Sequence, residues 1–359
     1  MALRVLNRFS GANAAVLSAD DRAHEVVFAP EPRPGAEALW FQFRVVDPQP
    51  PSPPPAALRV KLAFADSLSG LDAAAAAQLR PVYREKGSNW LRARPAAAVP
   101  GKTPADVPAL VWELPWPARD GSVDVALDVP YGPEDLAATV RRSNGFWTET
   151  TAGLLAGGAL LRRLSSGQPP SPSPRALYIA ARRDPAAAPA SWVLDGMLEA
   201  FSRAKSAKWR VWAAPFADPT GAERGASGPD PAKTPRLRAL LATDFARCAA
   251  GARPELYLDL DAAPPGGTVR AAAAPCADPA AEKSARAWVN LFAQALAPDW
   301  ADADAFAAPE PAPEENFPAL DVPRLSVRVP FGRIRNASLA PRQYREIGQR
   351  LAKAVLGRW

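Results

Sequence analysis

From residue 176 onward the chain alternates short apolar strands with amphipathic helices, and this alternation restricts the fold more than any other feature. Residues 176–181 (ALYIAA), 209–213 (WRVWA), 255–260 (ELYLDL) and 324–329 (RLSVRV) have strand length and are rich in aliphatic and aromatic side chains. Between and after them, residues 190–205, 234–249, 280–296 and 341–357 carry helical patterns. In the last stretch Tyr344, Ile347, Leu351 and Val355 recur at spacings of three and four behind Pro341, a proline well suited to a first helical turn. Strands that alternate with helices build a mostly parallel sheet covered on both faces. Ligands of such sheets bind beyond the carboxyl ends of the strands.

The first part of the chain has a different rhythm. Residues 26–28, 39–45, 58–64 and 123–129 are short, β-branched or aromatic-rich, and several alternate apolar with polar side chains. An antiparallel β-sandwich is the architecture this pattern predicts. The expected organisation is therefore an N-terminal β-sandwich over residues 1–138 and an α/β domain over residues 139–359, its sheet mixed but mostly parallel and flanked by helices. Three proline-rich segments, residues 47–57, 167–174 and 307–318, read as extended surface loops.

Composition narrows the function classes. The net charge of +6 is spread along the chain with no run of five basic residues, and no basic helix or aromatic-basic strand motif is present. Nucleic acid is not an expected partner. The longest membrane-like run, residues 151–161, is 11 residues long, against roughly 20 for a spanning helix. Cys248 and Cys276 lie in unrelated contexts, which favours a reducing compartment. With a charged N-terminal stretch (Met-Ala-Leu-Arg-Val-Leu-Asn-Arg), the expected location is the cytoplasm.

Local signatures then appear in a telling order. Trp40-Phe41-Gln42-Phe43-Arg44-Val45, the pair Pro81-Val82-Tyr83-Arg84 and Trp90-Leu91-Arg92, and Val129-Pro130-Tyr131-Gly132-Pro133-Glu134 succeed one another in the first part. In the second part come Ala181-Arg182-Arg183-Asp184-Pro185-Ala186-Ala187 with Trp192 and Gly196, then Leu256-Tyr257-Leu258-Asp259-Leu260, then Leu325-Ser326-Val327-Arg328-Val329-Pro330-Phe331. This succession resembles the zinc metallocarboxypeptidases of the cytosolic carboxypeptidase-like group, which carry an N-terminal β-sandwich. The resemblance spans nearly the whole chain.

It breaks at the positions that make such a protein an enzyme. The resemblance implies a histidine where this chain has Asp184, a glutamate where it has Ala187, and a histidine where it has Asp261. The catalytic glutamate position falls on Arg328. Asp218-Pro219-Thr220-Gly221 is similar to the segment preceding the substrate-carboxylate arginine, whose own position falls near Gly228, with Arg224 or Arg236 as stand-ins. A catalytic zinc of this class needs two neutral imidazoles, a carboxylate and an open position. The chain contains one histidine, His24, in its first part. Arg328 cannot act as a general base near neutral pH.

The expectation is a degenerate, catalytically inactive member with no cofactor, binding a peptide or a small acidic ligand in the former active-site cleft. Arg328, Arg224, Asp184 and Asp261 are the candidate ligand-binding residues. For Arg328 two roles stand open: an ion pair with one of the nearby aspartates, or a bidentate grip on an acidic ligand. The alternative is a hydrolase with altered or no metal dependence, using a hard cation on Asp184 and Asp261. A third reading is a structural partner of an active paralogue. The oligomeric state is not specified by the sequence.

Overall fold

The computed structural model describes residues 3–31, 40–48, 55–64, 76, 78–99, 109–116, 121–155, 158–167, 175–184, 186–205, 208–223, 234–263, 265–275, 278–302, 322–335 and 337–358. Arg224, Gly228 and Cys276 lie outside these residues, as do parts of the three proline-rich segments. The chain divides into two compact units. The first comprises Met1–Pro130, Gly221–Asp230 and Pro264–Gly266; the second comprises Tyr131–Thr220, Pro231–Ala263 and Gly267–Trp359.

The first unit holds two five-stranded sheets. One runs β1 (Arg4–Leu6), β4 (Gln42–Val46), β10 (Ser122–Ala126), β6 (Val82–Glu85), β7 (Leu91–Arg92) and is antiparallel throughout. The other runs β2 (Ala15–Asp20), β3 (Glu25–Ala29), β5 (Ala57–Ala63), β9 (Ala109–Pro115), β8 (Ala97–Val99), and here β3 and β5 pair in parallel, a departure from the purely antiparallel expectation. The period-two pattern is visible in β5, where Leu58, Val60 and Leu62 are buried and the intervening side chains are not. The inner faces of the two sheets meet at Phe28, whose ring lies 4.9 Å from Phe41 and 4.7 Å from Phe43.

The basic residues of the first-unit motifs pair with buried acids. Arg44 and Arg84 both reach Asp124, at 2.5 and 3.0 Å, and Arg92 reaches Asp128 at 2.6 Å. His24 is buried, edge-on to Trp116 with ring centroids 4.5 Å apart. Burial lowers its pKa, so a structural, neutral imidazole is what this position provides.

The second unit is built on a seven-stranded mixed sheet in the order β11 (Trp147–Leu154), β12 (Leu160–Ser166), β14 (Trp209–Ala214), β13 (Arg175–Ala181), β15 (Pro254–Ala263), β17 (Arg324–Pro330), β16 (Arg270–Ala273). The central four strands, β14-β13-β15-β17, are parallel; β12 and β16 on either side run antiparallel to them, and the outermost β11 is antiparallel to β12. β13 is buried along nearly its whole length, as a continuous apolar run in a sheet covered on both faces must be. In chain order the helices are α1 (Pro133–Arg142), α2 (Ala188–Ala204), the short α3 (Pro219–Glu223), α4 (Thr234–Ala249), α5 (Pro279–Leu296) and α6 (Pro341–Gly357). α4 packs Leu237, Leu241 and Phe245 onto Tyr178 and Tyr257 of the sheet. No helix among the described residues is long and apolar enough to cross a membrane.

Two glycines set the crossing of α2 and α6. A Cβ on Gly196 would lie 2.0 Å from the carbonyl oxygen of Arg345, and one on Gly348 would lie 1.9 Å from that of Val193. The Trp192 and Gly196 pair singled out in the sequence is thus a packing motif. Beside it, the buried Asp195 accepts hydrogen bonds from Thr139, from Tyr131 at 3.2 Å and from Arg345 at 2.5 Å. The Arg345 guanidinium also stacks 4.9 Å from the Trp192 ring centroid, and Tyr131 meets the same ring edge-on at 4.8 Å.

Candidate functional site

The carboxyl ends of β13, β15 and β17 bring Asp184, Asp261 and Arg328 together, because the strands are in register. Ala181 at the end of β13 lies beside Leu260, and Asp261 lies beside Arg328. Beyond β13 the chain turns sharply at Arg182, which adopts a left-handed φ of 57°. Non-glycine residues hold that conformation only where their surroundings enforce it. Here the enforcement is visible: Arg182 is buried, donates to the carbonyl of Tyr131 at 2.6 Å and lies 5.7 Å from the Phe216 ring centroid. Burial lowers its pKa to about 10, still cationic at neutral pH. Asp184 closes the following turn by accepting from the Ala186 amide at 2.9 Å, and Ala187, fully buried, leads into α2.

The guanidinium that serves the carboxylates is Arg183. It lies 2.7 Å from the buried Asp259 and 3.7 Å from Asp261. Side chains two apart on a strand share a face, so Asp259 and Asp261 present their oxygens to one cation. Burial opposes the charge on Arg183, but the two carboxylates outweigh it and its pKa is raised. Of the two roles left open for Arg328, the close ion pair with an aspartate is not formed among the described residues: Arg328 is exposed and acts on Asp259 and Asp261 only at longer range. The reason is one of environment. An ion pair on an exposed side chain gains little, whereas a buried carboxylate left alone is expensive, so the less exposed Arg183 takes the role. Arg236 sits exposed on the first turn of α4.

Neither Arg183 nor Asp259 was singled out by the sequence, although both stand inside quoted motifs. The signal was available. Two aspartates at i and i+2 on a strand otherwise made of leucine and tyrosine require a cation, and an Arg-Arg pair follows the neighbouring strand.

Asp184 and Asp261 are half-buried and unusually reluctant to ionise. Burial first, and the Asp261 charge second, push Asp184 up to about 7. Burial pushes Asp261 up to about 6, with Arg183 opposing that rise and Asp259 adding to it. An acid whose pKa is higher folded than unfolded holds its proton longer in the native state, so its ionisation destabilises the fold as pH rises. Asp184→Asn keeps the acceptor for the Ala186 amide but removes the titration. Its stability relative to wild type is therefore expected to increase between about pH 4 and about pH 8. Thermal denaturation of both proteins across that range checks this; a difference that stays flat would show that Asp184 is ionised throughout.

No group of three or more His, Cys, Asp or Glu side chains is arranged to hold a metal ion among the described residues. By sequence, the chain matches no protein-family model and no curated protein. By fold it is similar to a metallo-carboxypeptidase from Burkholderia cenocepacia, with a TM-score of 0.76 and 17% identity over 99% of this chain and 98% of that one. It is also similar to a metallo-carboxypeptidase from Pseudomonas aeruginosa, solved in complex with (2-guanidinoethylmercapto)succinic acid, with a TM-score of 0.71 and 19% identity over 98% of both chains. The chain thus has the fold of these proteins from end to end.

Proposed function

We propose that this protein is a catalytically inactive relative of the metallocarboxypeptidases that binds a peptide or a small acidic ligand at the strand ends beside Arg328. The observation that carries the reading is Arg183 bridging Asp259 and Asp261. A cation belonging to the chain itself satisfies the carboxylates at the place where the fold's metallopeptidases would need zinc. The donor set does not fit that metal. Asp184 and Asp261 stand at histidine positions, Ala187 offers a methyl group, and the single histidine of the chain is buried in the first unit against Trp116. A catalytic zinc of this class takes nitrogen from two imidazoles, and one histidine per chain does not supply them. The general base is absent as well, since Arg328 holds its proton throughout the physiological range.

What the site offers is recognition. The exposed Arg328 guanidinium has five donors in a planar fork suited to a carboxylate, and it stands toward the carboxyl end of β17, the end of the strands beyond which ligands of α/β proteins bind. That the Pseudomonas aeruginosa neighbour was solved with a succinate-bearing compound supports an acidic ligand for the same fold.

The test pairs two measurements on purified, tag-free protein. After incubation with zinc and desalting, elemental analysis is expected to find zinc well below one atom per chain. Titration calorimetry with short peptides bearing free carboxylates is expected to detect binding that weakens at least about ten-fold in Arg328→Ala, the usual scale for one charge-assisted contact. Stoichiometric zinc, or binding indifferent to Arg328, would defeat the reading. The competing hydrolase reading predicts turnover of peptidase, amidase or esterase substrates that is lost in Asp261→Ala.

A further inference from the structure

Among the described residues β11 pairs with β12 alone, which makes it an edge of the seven-stranded sheet. An edge strand presents unpaired backbone N–H and C=O groups, and folds commonly protect it by shortness, by lysine or proline, or by a bulge. The other edges of the three large sheets follow that rule. β1, β7, β8 and β16 have 3, 2, 3 and 4 residues, and the longer β2 is broken by a bulge between Val16 and Ser18. β11 has 8 residues, without lysine or proline. Thr148, Glu149, Thr150 and Thr151 are exposed in succession, and the bulge of β11 falls only beyond them, between Thr151 and Gly153. There Arg247 of α4 donates to the Ala152 carbonyl at 3.0 Å and closes that end of the strand. The single charge of the open stretch, Glu149, is already paired with Arg162 of β12. Threonine-rich, open and nearly neutral, this stretch is suited to taking one more strand.

We propose that β11 pairs with β11 of a second copy of this chain, antiparallel and about a two-fold axis at Thr150. Symmetry restricts the register. A two-fold axis perpendicular to the sheet leaves each side chain on its own face, so the axis passes through a residue that meets its own copy. The two central residues of the open stretch are Glu149 and Thr150. Centring on Glu149 sets two carboxylates directly opposite, which is unfavourable. Centring on Thr150 sets threonine against threonine and Glu149 against Thr151 of the other copy, with no like charges opposed. The same register is complementary in charge. Arg162 stands opposite Thr151 in β12, so Glu149 of the second copy reaches the far side of that threonine. Two strand spacings, about 10 Å, separate the two backbones, a span that an extended arginine and glutamate cover from either end. Each Arg162 fork then bridges the glutamates of both copies. A strand from an unrelated protein would gain the backbone bonds without these reciprocal pairs, and this is what selects a second copy as the occupant.

Sedimentation velocity of the purified, tag-free chain over a concentration series tests the pairing. Wild type is expected to show a dimer whose share grows with concentration. Thr150→Lys and Thr150→Glu each place like charges face to face at the axis, and each is expected to raise the dimer dissociation constant at least about ten-fold. An equimolar mixture of the two variants is expected to regain the wild-type dimer share, because ammonium and carboxylate then face each other. Damage to the strand itself would not be repaired by mixing. Thr150 is exposed, so both variants are expected to fold, with a Tm close to that of wild type. A wild-type chain that stays monomeric up to about 100 μM overturns the proposal, whether its edge is bare or taken by another polypeptide. So does a dimer indifferent to both substitutions, or a mixture no more associated than its separate components.

Discussion

Gly196→Ala and Gly348→Ala are each expected to leave little or no folded protein. The two glycines face each other's helices across the α2–α6 crossing, where an added Cβ would meet backbone carbonyl oxygens at 2.0 Å and 1.9 Å. Ordinary carbon–oxygen contact needs well over 3 Å, and backbone carbonyls cannot swing aside as a side-chain tip would. Relief requires the helices to separate by more than an ångström. That would break the Arg345 bond to Asp195 and the stacking of Arg345 on Trp192, both of which depend on the close crossing. The loss is expected to exceed about 4 kcal/mol for either variant, in the range reserved for disruption of a packed core. Chemical denaturation followed by circular dichroism measures it. A loss of under about 1 kcal/mol would mean that the crossing is far looser than the carbonyl distances require. An exposed helical glycine substituted in the same way, Gly357→Ala, meets no atom within 4 Å and should cost nothing or gain slightly.

The same crossing shows which parts of the molecule were legible in the sequence. Helical periodicity placed α4 and α6 over residues 234–249 and 341–357, the bounds the structure gives them. The parallel strands were legible because strands buried on both faces read as continuous apolar runs. The edge elements were not. β11 pairs with β12 through residues such as Thr148, Thr150, Arg162 and Arg163, whose mixed polarity gives no buried-strand signal. The parallel β3–β5 pairing was illegible for a different reason, since alternation reports which face is buried but not the direction of the neighbour. At the site, motif spacing correctly brought Asp184, Asp261 and Arg328 to adjacent strand ends. It left the role of Arg328 open between an ion pair and a ligand contact, because spacing does not report exposure. The aspartates at i and i+2 signalled the need for a cation, but which arginine of the Arg182-Arg183 pair supplies it was decided by burial and reach.

Arg183→Leu is expected to be the most damaging change that leaves the helix packing untouched, and its damage should depend on pH. With Arg183 in place, Asp259 and Asp261 share a guanidinium at 2.7 and 3.7 Å. Remove it and a fully buried carboxylate loses its hydrogen-bonded cation and keeps only the more distant Arg328, a situation that costs about 3–5 kcal/mol. The sign with pH follows from the direction of the shifts. Asp259, Asp261 and Asp184 all have pKa values above their unfolded value, with Asp261 at about 6 and Asp184 at about 7. Without the nearby cation the pKa values of Asp259, Asp261 and Asp184, each of which Arg183 lowers, rise further. At about pH 5 the native state then holds these protons and the penalty is small; at about pH 8 they are forced off and the penalty is full. Urea denaturation of wild type and variant at the two pH values should show the stability gap widening as pH rises. The double variant Arg183→Leu/Asp259→Asn should recover a large part of the loss at about pH 8, because removing the buried charge along with its partner removes the desolvation problem rather than exposing it. A single-variant loss that is small and independent of pH would mean that water, not Arg183, compensates the strand-end carboxylates. The self-supplied cation that carries the proposed function would fall with it.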